Sequence, residues 1–181
     1  MAQLFMQAEV PYKGAKVLEK GLAEGSVEKN ERNLRLLSQA WQLAQEDRKA
    51  ISPLKEAAAM SDDGDLYARL AQSYLNLSEY KACIDASDQG IKKGGLKNTG
   101  NAYLILGMCQ FERNALQSAK TSLRKALQYK KVAKNASSWI SYVESEQSRL
   151  RQLEQSLKQV QQIKEGQEQS ESEAEPEGQA T

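Results

Sequence analysis

Apolar residues recur at helical spacing along most of the chain, with polar residues filling the positions between them. Leu34, Leu37 and Trp41 stand three and four residues apart, and Leu54 and Ala57 continue the same spacing after a short polar stretch. Such an i, i+3, i+4 pattern predicts amphipathic helices, and the short breaks predict helix pairs. Ala, Leu, Lys, Glu and Gln dominate, all of them good helix formers. The chain is therefore predicted to be all-α.

The helix pairs repeat. Equivalent large residues are separated by 33 and then 36 residues, as Trp41, Tyr74 and Gln110 are. The longer second spacing falls at Gly94-Gly95, which predicts a loop between helices. Self-similarity at this period is the sequence signature of a helical repeat array.

Nine positions of the three repeats carry only small residues. In close-packed helix pairs the eighth, twentieth and twenty-seventh positions lie where helices cross, so a large side chain would hold the helices apart. Those positions are Ser38, Ala50, Ala57, Ala71, Cys83, Gly90, Gly107, Ala119 and Ala126.

This pattern resembles the tetratricopeptide repeat (TPR) family, whose 34-residue unit reads W-x2-L-G-x2-Y, then A-x3-F, then P. The terminal proline is absent, with Asp62, Gly95 and Lys131 in its place. The resemblance implies a right-handed superhelical stack of antiparallel helix pairs, closed by a C-terminal capping helix. It also implies a protein that binds other polypeptides.

The repeats divide the chain into six predicted segments. The chain opens inside a repeat, and we therefore expect a fragment of a longer protein. The segments are a partial hairpin (1–30), three full repeats (31–63, 64–98 and 99–134), a capping helix (135–164) and a disordered acidic tail (165–181).

The capping helix carries a row of apolar residues, Leu150, Leu153, Leu157 and Val160, spaced three, four and three apart. Two interpretations stay open. In the first, the row is the apolar edge of a long, otherwise solvent-exposed helix and packs on the last hairpin. In the second, the row forms a short dimerisation seam. Two heptads are too few to establish a coiled coil.

Charge and composition limit the classes of partner that the chain can bind. The tail from Glu165 has six Glu and no Lys or Arg, so the rest of the chain is net basic. Its basic residues are too dispersed for a nucleic-acid interface. No apolar run is long enough to cross a membrane, and no signal peptide is visible at the start. We expect no membrane insertion and no nucleic-acid partner.

The residues of catalysis are missing from the sequence. The chain has no His, and no phosphate-binding loop, zinc-protease or calcium-loop motif occurs. Asp62-Asp63-Gly64-Asp65 is interpreted as a turn before a helix. Cys83 and Cys109 are interpreted as small buried hydrophobes, not as a disulfide. We predict no enzyme activity, no catalytic residue, no metal site and no cofactor.

The resemblance places a partner-binding groove on the first helix of each repeat. That face grades from basic and amide-rich to apolar, which suits an extended or helical segment of a protein partner. The alternatives are that the arginines form a solvated face and that Met108 and Phe111 pack on the capping helix near Ile140. The groove set is Arg32, Arg35, Gln39, Gln42, Ala68, Gln72, Leu75, Asn76, Asn101, Leu104, Met108 and Phe111, flanked by Asp65 and Glu112.

Some family members grip a partner's C-terminal carboxylates with a clamp of Lys, Asn, Asn, Lys and Arg. The corresponding positions here are Arg35, Gln39, Arg69, Asn101 and Ile105, of which only the first two are near matches. Binding of that kind is not predicted.

Residues 2–15, 40–50 and 139–142 also resemble the C-terminal half of TPR proteins encoded beside TonB systems in marine gammaproteobacteria. This implies a periplasmic scaffold in energised uptake, exported by a signal outside this sequence, with the TonB–ExbB–ExbD machinery as partner. The alternative is a cytoplasmic adaptor unrelated to TonB, with Met1 as the native start.

Overall fold

The computed structural model describes residues 10–173, and this part of the chain is all helical. The first nine residues of the predicted partial hairpin lie outside the described residues. In chain order the helices are α1 (Pro11–Ala23), α2 (Glu31–Leu43), α3 (Asp47–Met60), α4 (Asp65–Asn76), α5 (Tyr80–Lys93), α6 (Thr99–Glu112), α7 (Leu116–Leu127) and α8 (Ala133–Glu173). The chain forms two compact units, and the division falls within α8 between Ile140 and Ser141.

The first unit is a stack of helix pairs. Helices α2 and α3, α4 and α5, and α6 and α7 pack as pairs, and each pair lies inside one predicted repeat. Neighbouring pairs pack through α3 on α4 and through α5 on α6, and α1 packs on α2. The fold-class prediction of stacked helix pairs is confirmed.

All nine small positions of the repeats are buried. Close approach explains why. A Cβ on Gly107 would stand 2.6 Å from Cγ of Leu123, and a Cβ on Gly90 would stand 3.0 Å from the carbonyl oxygen of Gly64. Both distances are shorter than ordinary van der Waals contact, so a larger residue would force the helices apart.

Local capping explains where helices begin and end. The side chains of Asn30 and Asn98 accept hydrogen bonds from the backbone N–H groups of Asn33 and Asn101, which fixes the starts of α2 and α6. Gly94 has a φ of +78° and ends α5, where its N–H donates to the carbonyl of Gly90. The loop predicted at Gly94-Gly95 is therefore present.

The turn within each helix pair has one repeated geometry. Gln45, Ser78 and Asn114 all have φ near +60°, and they are separated by the same 33 and 36 residues as the repeats. The next residue in each turn donates its N–H to the carbonyl of the residue five positions earlier, at 2.9 Å in all three turns. The turns thus follow the register of the sequence repeat.

Replacing Ser78 with glycine should stabilise the protein. A left-handed conformation strains any residue with a Cβ, whereas glycine adopts it freely. We expect the free energy of unfolding to rise by about 0.5–1 kcal/mol, measured by urea unfolding. Ser52→Gly, at an exposed position inside α3, is the matched control and should lower it by about 0.5–1 kcal/mol. Equal effects of the two substitutions would contradict the turn geometry.

Two predictions need correction. Cys83 and Cys109 are both fully buried, as expected, but they form a disulfide with 6.3 Å between their Cα atoms. The bond joins α5 to α6, so it links two neighbouring repeats. The acidic tail predicted to be disordered from residue 165 is helical through Glu173, and the residues after it lie outside the described part.

Candidate functional site

The first helices α2, α4 and α6 carry the predicted binding face. Helix α4 packs against α6, and the side-chain amide of Gln42 on α2 donates to the hydroxyl of Ser73 on α4 at 3.1 Å. Asp65 at the start of α4 accepts from the backbone N–H of Lys97 at 3.3 Å and forms an ion pair with its ammonium group. These contacts join α2 to α4, and α4 to both α6 and the loop that precedes it.

The two predicted arginines differ in availability. Arg35 is half-buried and forms an ion pair with Glu31 on its own helix at 3.2 Å. Arg32 is exposed and has no ion pair among the described residues. Arg32 is therefore the better candidate for binding a partner carboxylate, because its guanidinium group is not already neutralised.

The predicted amides also divide into two groups. Gln42 is bound to Ser73, and Gln72 donates to the side chain of Asn76 at 2.8 Å. The side chains of Gln39 and Asn101 are half-buried and form no hydrogen bond within the part of the chain that the structure describes. These two amides retain their capacity to pair with the backbone of a bound segment.

The apolar end of the face includes a core residue. Leu104 is only 6% exposed, so little of its side chain is available to a partner. Helix α6 is apolar on nearly every side and packs against α4, α5 and α7, which buries Leu104 together with Ile105 and Leu106. The family's groove position could not reveal this.

Met108 and Phe111 remain half-exposed on α6. The ring of Phe111 lies edge-on to Trp139 at the start of α8, with 5.8 Å between ring centres. This contact matches the alternative that Phe111 packs on the capping helix. Ala68 and Leu75 on α4 are also half-buried, and Leu75 packs against the core, so Met108 is the most available apolar side chain.

Three clefts lie between successive second helices, and sequence reasoning missed them. The largest, about 440 Å³, lies among α5, α6 and α7, and another of about 420 Å³ lies among α1, α2 and α3. The third, of about 230 Å³, lies among α3, α4 and α5. None of the predicted groove residues lines them. The repeat spacing itself was the available signal, since each cleft recurs once per repeat.

The largest cleft combines charge and an aromatic ring. The ammonium group of Lys125 lies 5.3 Å from the ring centre of Tyr103. Partial burial raises the pKa of Asp88, the neighbouring Asp85 raises it further, and Lys125 opposes both effects. Hydroxyl side chains also line this cleft, and the hydroxyl of Ser122 donates to the side-chain oxygen of Gln110 at 2.8 Å.

No group of three or more His, Cys, Asp or Glu side chains is placed to hold a metal ion among residues 10–173. No helix in that range is both long enough and apolar enough to cross a bilayer.

Comparison with known proteins identifies the fold. No protein-family model matches the sequence, and the curated proteins give no match either. Solved structures do: MamA shares 17% identity with a TM-score of 0.70, over 82% of this chain and 85% of that chain. YrrB, a TPR protein "with an unusual peptide-binding site", shares 14% identity with a TM-score of 0.66, over 81% and 74%.

A third structure contains a bound peptide. The second TPR domain of human RPAP3, in complex with an HSP70 peptide, shares 18% identity with a TM-score of 0.56. The match covers 64% of this chain and 98% of that domain. The chain therefore has the fold of TPR proteins.

Proposed function

We propose that this chain is a non-catalytic scaffold that binds an extended or helical segment of another polypeptide on the face formed by α2, α4 and α6. One observation carries the proposal. Arg32, Gln39 and Asn101 lie on first helices with polar groups that have no side-chain partner in the described structure, and Met108 lies half-exposed on the same face. Partly exposed groups of this kind are hydrated in the free protein and can exchange that water for the polar groups of a ligand.

The chemistry along the face favours a peptide over a small molecule. Arg32 supplies a cation for a carboxylate, Gln39 and Asn101 supply donors and acceptors for a backbone, and Met108 adapts to an apolar side chain. These groups are distributed over two helices of different repeats, which suits a ligand that is long and thin.

The structural neighbours support this kind of ligand. The RPAP3 domain is solved with an HSP70 peptide, and the first TPR of Spaghetti is solved with an HSP90 peptide. Here the carboxylate-clamp positions hold Arg69 and Ile105 in place of the family's Asn and Arg. The proposed ligand is therefore a different segment from a chaperone tail.

The absence of histidine from the sequence supports a binding role over a catalytic one. An enzyme of this fold would need paired acids or an activated nucleophile with shifted pKa values in one cleft. The raised pKa of Asp88 has only Asp85 and Lys125 as its charged causes, and these make no such constellation.

The disulfide favours an oxidising compartment. Disulfides persist in the periplasm and outside cells, whereas cytosolic thiols are kept reduced. We therefore propose a periplasmic location, in preference to the cytoplasmic alternative. Alkylation of the protein in acid-quenched cells tests this: both cysteines should resist modification until a reductant is added, and two free thiols would refute the placement.

An accessory role in a TonB-type uptake system is the finer proposal. It rests on the sequence resemblance of residues 2–15, 40–50 and 139–142, and a periplasmic location is compatible with it. Co-purification with TonB, ExbB or ExbD tests it. Capture of other polypeptides only would remove the TonB assignment and leave the scaffold proposal intact.

Reversing the charge of Arg32 should weaken partner binding at least tenfold. Arg32→Glu replaces a cation with an anion at the proposed carboxylate site, which removes a charge-assisted hydrogen bond worth about 1.5–3 kcal/mol. The measurement is capture of partner polypeptides from the producing cells by tagged variants. Arg124→Glu, an exposed arginine on α7, is the matched control and should capture as the wild type does. Equal capture by both variants would contradict the proposed face.

A further inference from the structure

The second unit carries an exposed apolar row on α8. Leu153, Leu157, Val160 and Ile163 are each about half exposed or more, between 49% and 61%. Leu150 extends the row and is half-buried.

The spacing of the row suits a helical partner. Leu150, Leu153, Leu157 and Val160 occupy alternating three- and four-residue steps, which is the a/d pattern of a coiled coil. Four consecutive core positions on one helix need four on another to cover them. A second copy of this helix supplies the same number at the same spacing.

Charged residues at the two ends of the row indicate the direction of pairing. The same alternating steps reach Glu146 before Leu150 and Lys164 after Val160. In a parallel pair, each of these residues would face its own equivalent, so like charges would meet at both ends. In an antiparallel pair, Glu146 would face the partner's Lys164, and this attraction would occur twice.

We propose that α8 pairs with α8 of a second copy as a short antiparallel coiled coil. Leu150 packs against the partner's Val160, and Leu153 packs against the partner's Leu157, with each contact repeated by symmetry. A two-fold interface of this kind is self-complementary and closes at two chains. It buries Leu150, Leu153, Leu157 and Val160 on both copies.

One contact between the two copies would oppose the pairing, and an ion pair within each helix weakens that repulsion. Glu154 flanks the middle of the row, and the two copies of Glu154 would approach each other. Glu154 forms an ion pair with Lys158 on its own helix at 2.8 Å, which partly neutralises it. Glu146 is likewise bonded to Arg149, at 2.6 Å, and its side chain remains 28% exposed to meet Lys164 of the partner subunit.

Sedimentation equilibrium of the full chain tests the dimer. The monomer mass is 20.2 kDa, so association should double it as concentration rises. Leu157→Glu should weaken the dimer at least tenfold, because it places a charge in a central layer of the seam. Gln155→Glu adds the same charge on the outer side of α8 and should leave the dimer unchanged. Circular dichroism should be equal in all three proteins.

Charge exchange tests the direction. Glu146→Lys alone and Lys164→Glu alone should each weaken the dimer roughly fivefold to tenfold, because each turns two attractions into repulsions. The double variant should restore it. A parallel pair would instead show no restoration, which would overturn the antiparallel arrangement.

A wild-type chain that stays monomeric at every concentration would overturn the proposal. If a helical segment of another protein then bound the wild type but not Leu157→Glu, the seam would belong to that protein and not to a second copy. Dimerisation that survives Leu157→Glu would place the interface elsewhere and would also overturn it. None of these outcomes depends on the binding face of α2, α4 and α6.

Discussion

Replacing Trp41 with alanine should lower the free energy of unfolding by about 3–5 kcal/mol. Trp41 is 1% exposed and is the largest of the fully buried side chains among the described residues. Its ring lies edge-on to Tyr12 at 5.5 Å, and the ammonium group of Lys49 stands 4.9 Å from its centre. Truncation would remove all of these contacts and leave a cavity among α1, α2 and α3.

The loss of unfolding free energy is measured by urea unfolding, monitored by circular dichroism and by fluorescence of the remaining Trp139. In a repeat stack each pair contacts only its neighbours, so hydrogen exchange should quicken first in α1, α2 and α3. Leu43→Ala, on the same helix but 62% exposed, is the matched control and should cost less than about 0.5 kcal/mol. If both variants lose the same stability, the packing of this end of the stack is wrong.

Reducing the Cys83–Cys109 disulfide should lower the free energy of unfolding by about 3 kcal/mol. The bond joins residues 26 apart, and it restricts the unfolded chain while tying α5 to α6. Urea unfolding of the wild type with and without a reductant measures the difference between the two states.

The variant with both cysteines replaced by alanine provides the control. It should unfold close to the reduced wild type and should not respond to the reductant, since no other cysteine exists in the chain. If the reductant shifts the urea midpoint of the wild type no more than that of the variant, the disulfide does not contribute to stability. That result would also remove the argument for an oxidising compartment.

The helix pairs were predictable because their determinants are local and repeated. Small residues at crossing positions such as Ala50, Ala57 and Gly107 encode close packing directly, and each is buried as expected. The left-handed backbone conformation of the turn residues could not be predicted from their residue types. Gln45, Ser78 and Asn114 take that conformation because the two helices flanking each turn impose it, in place of an intrinsic preference of the residue.

Three features depend on tertiary packing and could not be predicted from the sequence. The spacing of Cys83 and Cys109 does not reveal that adjacent repeats bring them together. Leu104 fits a groove position by register, but α6 is enclosed on several sides and buries it. Residues 165–173 are polar enough for a disordered tail, yet they continue α8, because extending an existing helix by one residue costs little.

Site-specific photo-crosslinking in the producing cells tests most directly whether partners bind on the face of α2, α4 and α6. A photoreactive residue is placed at the ninth repeat position, in turn at Gln39, Gln72 and Met108. Matched sites on the second helices, at Lys55, Gln89 and Thr121, line the clefts and serve as controls. We expect adducts with one partner polypeptide from the first set and none from the second. Adducts from the second set alone, or from neither set, would contradict binding on this face.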